Sequence, residues 1–165
     1  MGPFKRLIGI GAGIASLLRP RRRGAVYTVG HSTRSVEEFV SLLKEHQIEA
    51  VVDVRRFPRS RRNPQFNRER LEEILPREGI EYRWLGEELG GYRPGGYRAY
   101  IGTDGFERGI KLLEDLARRH RTAVMCAEKL WFRCHRRFIA DRLSKQGWEV
   151  WHIIEPHRKL YRHRA

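Results

Sequence analysis

Short apolar runs alternate with helix-like segments along most of this sequence, and that alternation restricts the chain to few folds. The runs have the composition of buried strands, and they cover residues 25–29, 49–54, 80–85, 122–127 and 148–154. Segments with one apolar face predict helices at residues 35–46, at 68–75, from 104 onward and at 134–146. Alternation of this kind predicts an α/β fold: a mostly parallel sheet of about five strands with helices on both faces, three layers in all.

Local signals mark where three of these helices begin. Ser35 and Glu38 have the spacing of a capping box, in which each side chain bonds the other residue's backbone N–H. Asn67 is predicted to cap the second helix. Asp104 is predicted to open the third, with Glu107 three positions later.

Much of the excess of basic over acidic residues lies at the two ends of the chain. The sequence has 34 Lys and Arg against 20 Asp and Glu, a net charge of +14. We predict a basic arm at residues 1–24, one α/β domain at residues 25–154 and a basic tail at residues 155–165. Such a charge favours polyanionic partners, whether nucleic acid, another phosphate-bearing ligand or an acidic membrane surface.

The arm has six basic residues and no acidic residue. Its apolar run, residues 7–18, is too short to span a bilayer. The order of charge and apolar run is that of a signal peptide, but another basic run follows at once, without a convincing cleavage site. Three interpretations stay open: a mobile or self-packed segment, a contact with the membrane surface, or a contact with nucleic acid.

Polar side chains of catalytic type follow three predicted strands and open the last predicted helix. Because ligands of open α/β sheets bind outside the carboxyl ends of the strands, these side chains are expected to meet at one edge. The catalytic candidates are His31, Asp53, Cys126, Glu128, Cys134 and His135. The candidates for binding a ligand or phosphate are Gly30, Ser32, Arg55, Arg59, Arg61, Arg62, Phe66, Asn67, Arg133 and Arg136. No metal ligands are assigned, and the identity of any cofactor is left open.

The two cysteines, Cys126 and Cys134, allow four interpretations. So few cysteines do not make a secreted disulfide scaffold, so reduced thiols in the cytoplasm are expected, which argues against a disulfide. A zinc site would need further ligands such as His31 and His135, and the cysteine spacing is not that of a structural site. As a nucleophile, Cys134 at a helix start among cations would have a lowered pKa, with Cys126 facing the same groups. The fourth interpretation is that both thiols fill space beside a binding site.

The long loop at residues 55–67 alternates arginines with Phe and Pro. Guanidinium groups bind phosphates and a Phe ring stacks on an unpaired base, so the loop is typical of a nucleic-acid contact. The alternative is a solvated charged loop whose Phe residues pack into the core. A second long, Gly-rich loop spans residues 86–103, and loops of such length are usually functional or mobile.

Five motifs in sequence order resemble the domain of unknown function 488 family, over about Tyr27 to Ile153. They are T-x-G-H-S (Thr28, Gly30, His31, Ser32), D-x-R (Asp53, Arg55), N-P-x-F-N (Asn63, Pro64, Phe66, Asn67), C-A-E (Cys126, Ala127, Glu128) and R-C-H-R (Arg133, Cys134, His135, Arg136). The resemblance implies an α/β fold and no established reaction. It also implies a loose association with DNA repair, because some members are described in that way.

Three functions follow from these features. The first is a cytoplasmic domain that binds nucleic acid or a phosphate-bearing, nucleotide-like ligand and acts on it hydrolytically. The second is a cysteine-dependent phosphatase or sulfurtransferase analogue with Cys126 or Cys134 as nucleophile. The third is a non-catalytic interaction module that the arm, residues 1–24, holds to a membrane or partner. The sequence leaves the oligomeric state open.

Overall fold

A computed structural model describes residues 23–165, and within this range six strands form one sheet. The strands are β1 (Ala25–Gly30), β2 (Ala50–Asp53), β3 (Glu81–Trp84), β4 (Thr122–Cys126), β5 (Glu149–Ile153) and β6 (Tyr161–Arg162). Their order in the sheet is β3-β2-β4-β1-β5-β6, and all neighbours run parallel except β5 and β6. The prediction of a mostly parallel sheet is therefore confirmed.

Helices connect the strands. They are α1 (Val36–Glu45), α2 (Arg68–Arg77), α3 (Gly86–Leu89), α4 (Tyr97–Tyr100), α5 (Asp104–Arg119) and α6 (Arg136–Lys145), with 3-10 turns at Pro64–Phe66 and Trp131–Arg133. The second long loop predicted from the sequence thus contains two short helices. Tyr97 and Tyr100 hold them together, because their hydroxyls donate to the carbonyls of Leu89 and Glu88 at 2.8 and 2.6 Å.

Two apolar clusters cover the two faces of the sheet. Val52 and Val124 point into the cluster that includes residues of α3, α5 and α6. Val51 and Met125, their neighbours along the strands, point into the cluster that includes residues of α1 and α2. Because successive strand residues face opposite layers, both faces need helices, and the three-layer α/β architecture is confirmed.

All three helices begin at or within one residue of the predicted start, but the predicted capping contact is confirmed only for the first. The Ser35 hydroxyl accepts from the Glu38 N–H at 3.1 Å, and Glu38 accepts in return, so the capping box is confirmed. Asn67 stands immediately before α2, at the predicted cap position, but its side chain accepts from the Ser60 N–H and not from a helix N–H. α5 begins at Asp104 as predicted, and the Thr103 hydroxyl caps it by accepting from the Phe106 N–H.

Strand β6 lies in the segment predicted as a basic tail, so the expected last strand, β5, is not the last. It is two residues long and pairs with β5, and the His163 N–H continues the pairing to the Val150 carbonyl at 2.8 Å. Most of the arm, residues 1–22, lies outside the described residues. The prediction that the arm contacts a membrane or nucleic acid concerns these residues, so it stays a prediction. Between residues 23 and 165, no helix has the length and apolar character needed to cross a bilayer.

Candidate functional site

The carboxyl ends of β1, β2 and β4 lie side by side and are joined by backbone hydrogen bonds. The N–H groups of His31 and Val54 donate to the carbonyls of Cys126 and Met125, both at 2.9 Å. Gly30 allows the chain after β4 to cross the end of β1, because a Cβ atom there would lie 1.9 Å from the Glu128 carbonyl oxygen. The three chain segments therefore deliver their side chains to one edge of the sheet.

Two free thiols form the centre of this edge. Cys126 is the last residue of β4, and Cys134 follows the 3-10 turn Trp131–Arg133. Their Sγ atoms are 2.8 Å apart, and we call them the thiol pair. Cys134 has an extended backbone and precedes α6 by two residues, so this helix begins later than the sequence predicted. Cys126 is 3% exposed, whereas Cys134 is only partly buried.

His135 presents a ring nitrogen to the Cys134 sulfur. Its Nε2 atom lies 2.8 Å from the Val54 carbonyl oxygen, and a carbonyl can only accept, so Nε2 carries the proton. In the neutral ring, Nδ1 is then a lone-pair acceptor, and it lies 3.6 Å from Cys134 Sγ. The geometry therefore gives the thiol a nearby proton acceptor whose tautomer is fixed by the backbone carbonyl of Val54, immediately after β2.

Arg136 places a buried positive charge beside both sulfurs. Its side chain is 1% exposed and donates from Nη2 to the carbonyls of Glu128 and Lys129, while Nε and Nη1 have no hydrogen-bond partner among residues 23–165. No carboxylate in that range forms a salt bridge with it. Its backbone N–H also donates to Cys134 Sγ at 3.4 Å. A buried guanidinium needs an anion nearby, and the Cys134 thiolate can serve as that anion.

These surroundings move the two thiol pKa values in opposite directions. The hydrogen bond from Cys126 lowers the pKa of Cys134 most, and His135 and Arg136 lower it further, against an opposing effect of burial. Burial raises the pKa of Cys126 well above its usual range, and its hydrogen bond to Cys134 adds to the rise. The opposite directions of the two shifts favour ionisation of Cys134 over Cys126, with the Cys126 thiol as hydrogen-bond donor to the Cys134 sulfur.

A second polar network surrounds Asp53, and its members Phe66 and Tyr82 pack on the opposite face of the sheet from the thiol pair. Asp53 is fully buried and accepts two hydrogen bonds from the Arg55 guanidinium, at 2.9 and 2.7 Å, and another from the Tyr82 hydroxyl. His31 donates from Nδ1 to the Ser32 carbonyl at 2.8 Å, so its Nε2 accepts from Arg55 at 3.3 Å. Burial, and then the Arg55 charge, lowers the pKa of His31 to about 4.

Several of the predicted binding residues belong to this network or to its support. Phe66 is fully buried, stacks on His31 with ring centroids 4.4 Å apart, and accepts from Arg55 through its carbonyl. It thus packs in the core, which the sequence analysis had left as the alternative to an exposed stacking face. Each nitrogen of the Arg55 guanidinium forms a hydrogen bond within the protein, to Asp53, His31 or Phe66.

The remaining predicted residues lie at the surface around this edge. Glu128 is exposed, and its carboxylate accepts from the Leu130 N–H at 3.1 Å rather than facing the thiols. Ser32 is partly buried and has a positive φ of 53°. The exposed arginines are Arg59, Arg61, Arg62 and Arg133. Arg59 pairs with Glu69 at 2.8 Å.

A surface groove of about 290 Å³ lies beside the second network. It is lined by Arg56, Phe57, Pro58, Arg59, Arg68, Glu69 and Trp84, and we call it the Arg–Phe groove. Phe57 is 67% exposed, and the Arg68 guanidinium lies over the Trp84 ring at 4.4 Å. The loop that the sequence predicted as a nucleic-acid contact therefore keeps one aromatic face, Phe57, and most of its cations in solvent.

Sequence reasoning missed a third polar network, between β1, β5, β6 and α6. Because the Asp141 carboxylate accepts from His163 Nε2 at 2.6 Å, His163 Nδ1 must accept from His152 Nε2, at 3.0 Å. The Thr28 hydroxyl then donates to His152 Nδ1 at 2.6 Å, and Trp131 stacks on the His152 ring at 4.2 Å. The only signal in the sequence is a histidine in an apolar strand, which does not reveal its partners.

No group of three or more His, Cys, Asp or Glu side chains within residues 23–165 is arranged to hold a metal ion. Both ring nitrogens of His31 are engaged by Ser32 and Arg55, so His31 does not face the thiol pair as the zinc interpretation requires.

Comparison with known families gives one match. A family model described as "Domain of unknown function DUF488" matches residues 35–143, about two thirds of the chain, including both cysteines. Neither a search of curated proteins nor one of solved structures found a match.

Proposed function

The chain belongs to the domain of unknown function 488 family, whose description names no reaction, and we propose that it is a thiol-dependent enzyme with Cys134 as the nucleophile. The observation that carries the proposal is the surroundings of Cys134 Sγ. The Cys126 thiol lies 2.8 Å away, the His135 Nδ1 atom 3.6 Å away and the Arg136 N–H 3.4 Å away. The Cys126 thiol and the Arg136 N–H stabilise a negative charge on the sulfur as donors, and His135 does so once its Nδ1 has taken the proton.

The steps that these residues perform can be stated in order. His135 Nδ1 takes the Cys134 proton and, as an imidazolium, donates back to the sulfur, while its Nε2–H stays on the Val54 carbonyl. The Arg136 charge replaces solvent as the counterion of the thiolate in this partly buried position. The thiolate then attacks an electrophilic centre presented over the loop at residues 127–133, where Ala127 and Arg133 are exposed.

The pH dependence of alkylation tests this proposal. We expect iodoacetamide to modify Cys134 at a rate that is already half-maximal below pH 7, because its pKa is lowered. Cys126→Ser leaves Cys134 as the only thiol and keeps a hydroxyl donor, so it should retain the low midpoint. Cys134→Ser leaves only Cys126, whose modification should need pH above about 8.5. An alkylation midpoint near pH 8.5 for Cys134 would contradict the proposed nucleophile.

The Arg–Phe groove supports a second candidate function, the binding of nucleic acid or another phosphate-bearing ligand. Arg56 and the exposed ring of Phe57 lie in one groove, and a cation beside a free aromatic face suits a phosphate and its unpaired base. The exposed Arg61 and Arg62 have no carboxylate partner among residues 23–165 and extend the positive surface. The DNA-repair association implied by the family resemblance belongs to this candidate.

Fluorescence anisotropy with a labelled single-stranded oligonucleotide tests the second candidate. We expect affinity to fall steeply with salt, and Arg56→Ala with Arg59→Ala to reduce the slope of log K against log[salt] by about 0.7 per lost phosphate contact. Phe57→Ala should weaken binding by about 1 kcal/mol or more with little change in slope. Arg118→Ala, an exposed arginine of α5, is the matched control. Affinity that salt and these substitutions leave unchanged would exclude this groove as the binding surface.

A further inference from the structure

The two thiols differ in solvent exposure, and this difference suggests that they have different roles in a reaction. We infer that Cys126 and Cys134 work as a dithiol–disulfide couple, in which Cys126 resolves a mixed disulfide formed on Cys134, so that the substrate is a disulfide. This inference rests on the proposed nucleophile, Cys134, and adds the class of reaction and the role of Cys126. Neither the family description nor the sequence motifs assign such an activity.

The distance between the sulfurs is the first support. Sγ–Sγ is 2.8 Å, against about 2.05 Å for a disulfide bond, so a small rotation of either side chain closes the bond. Cys126 is fixed at the end of a central strand, while Cys134 sits in the extended segment between a 3-10 turn and α6. The couple can therefore close without a rearrangement of the sheet.

Burial fixes the order of attack. Cys126 is 3% exposed, and its sulfur lies 2.8 Å from Cys134 Sγ and 3.7 Å from the Glu128 carbonyl oxygen. A disulfide in solution therefore reacts first with Cys134, which is the more exposed of the two cysteines and is the proposed thiolate. The buried Cys126 thiol is then within reach of one electrophilic sulfur, that of Cys134. This is the arrangement of an attacking and a resolving thiol.

The loop between the cysteines favours a sulfur electrophile over a phosphoryl group. A phosphate cradle needs several free backbone N–H groups that converge on the anion. Here three of the loop N–H groups, those of Leu130, Arg133 and Cys134, donate instead to Glu128, Leu130 and Trp131 within the loop itself. One N–H, that of Arg136, points to the Cys134 sulfur. Attack on a disulfide sulfur needs no such cradle, because the negative charge passes from the attacking thiolate to the leaving thiolate.

The proposed reaction balances in two steps. The Cys134 thiolate attacks a disulfide R–S–S–R′, its sulfur bonds to the R sulfur, and R′–S⁻ leaves. The sulfur of Cys126 then attacks Cys134 Sγ and R–S⁻ leaves; the Cys126 proton goes to one released thiolate, and the His135 imidazolium gives the Cys134 proton to the other. Two protein thiols are oxidised to the Cys126–Cys134 disulfide, and the substrate disulfide is reduced to two thiols. A dithiol such as dithiothreitol returns the protein to its starting state by the reverse exchange.

Oxidised glutathione and intact-mass spectrometry test the inference on the full chain. After exposure to oxidised glutathione and an acid quench, the wild type should have lost two hydrogens and should have no thiol left for alkylation under denaturing conditions. Cys126→Ser should instead accumulate one glutathionyl group, on Cys134, because nothing resolves the mixed disulfide. Cys134→Ser should show neither product within the same time. Thermal unfolding of each variant checks that the fold is retained.

The outcomes separate this inference from the function on which it rests. If Cys134 alkylates below pH 7 but the wild type keeps a stable glutathione adduct or stays reduced, the couple is excluded and the nucleophile remains. If Cys134 does not alkylate below pH 7, the nucleophile itself is excluded. A glutathione adduct on Cys126 in Cys134→Ser would contradict the order of attack.

Discussion

At the scale of single residues, the site depends on which ring nitrogen of each histidine carries the proton. His135 and His31 each donate to a backbone carbonyl, and each is thereby left with one acceptor nitrogen. For His135 that nitrogen faces Cys134, where it can accept a proton, whereas for His31 it is already bonded to Arg55. Two histidines that look equivalent in the sequence thus have different chemical capacities, and the backbone around them makes the difference.

We predict that His135→Ala raises the pKa of Cys134. The substitution removes a hydrogen bond and a positive charge that both lower that pKa, so the alkylation midpoint should move up by about 1–2 pH units. The pH dependence of the iodoacetamide rate, measured in the Cys126→Ser background, checks it. His157→Ala, at a side chain that is 90% exposed, is the control. An unchanged midpoint in His135→Ala would show that this ring does not act on the sulfur.

We also predict that burial of neutral His31 makes stability fall on mild acidification. Its pKa is lowered to about 4 in the folded state, so between pH 6.5 and 4 the unfolded chain binds a proton that the folded chain does not. The free energy of unfolding should decline as the pH falls through that window, by up to about 3 kcal/mol from this group. Above pH 6.5 the effect is absent, because the ring is neutral in both states.

Urea unfolding at a series of pH values measures this slope. His31→Asn should have a shallower slope between pH 6.5 and 4 than the wild type, although its stability at neutral pH is lower. Burial also lowers the pKa of His152, to about 3, so part of the wild-type slope should remain in the variant. Equal slopes in the two proteins would contradict the assignment of His31 as a buried neutral group.

At the scale of elements, the apolar runs were sufficient to predict the strands buried on both faces. β1, β2, β4 and β5 lie within one or two residues of the predicted ranges, because a strand covered on both sides must be apolar throughout. β6 could not be predicted in this way. It is two exposed, polar residues whose position comes from pairing with β5, and that pairing depends on contacts between residues far apart in sequence.

We predict that the hydrogen bonds from His152 through His163 to Asp141 hold β6 in place. His163 is 5% exposed and links His152 to Asp141, so His163→Ala leaves the His152 Nε2–H buried without a partner. The expected loss is about 2 kcal/mol in the free energy of unfolding, measured in urea. Arg164→Ala, at the exposed neighbouring residue, should change that free energy by less than about 0.5 kcal/mol. If the two substitutions lower the free energy of unfolding equally, the hydrogen bonds of His163 do not stabilise β6.

At the scale of the whole molecule, the sequence predicted the edge of the sheet where polar residues lie, but not that they form two separate hydrogen-bonded networks. Parallel strands place their carboxyl ends at one edge, so the approach of Gly30, Asp53 and Cys126 follows from topology. Two contacts separate the networks: Arg55 bonds the buried Asp53, and Cys134 lies against Cys126. Both depend on side-chain packing, which the spacing of residues in the sequence does not predict. The predicted single site is therefore two adjoining networks, one around the thiols and one around Asp53.

The charge of Cys134 in the reduced protein is the property on which the proposed nucleophile and the dithiol–disulfide couple both depend. The ultraviolet absorbance of a thiolate, followed in a pH titration of the wild type against Cys134→Ser, measures it directly. We predict a thiolate signal at pH 7 in the wild type, lost only in a transition well below that pH, and no such signal at pH 7 in Cys134→Ser. A wild-type signal that develops only above pH 8 would contradict the proposed nucleophile.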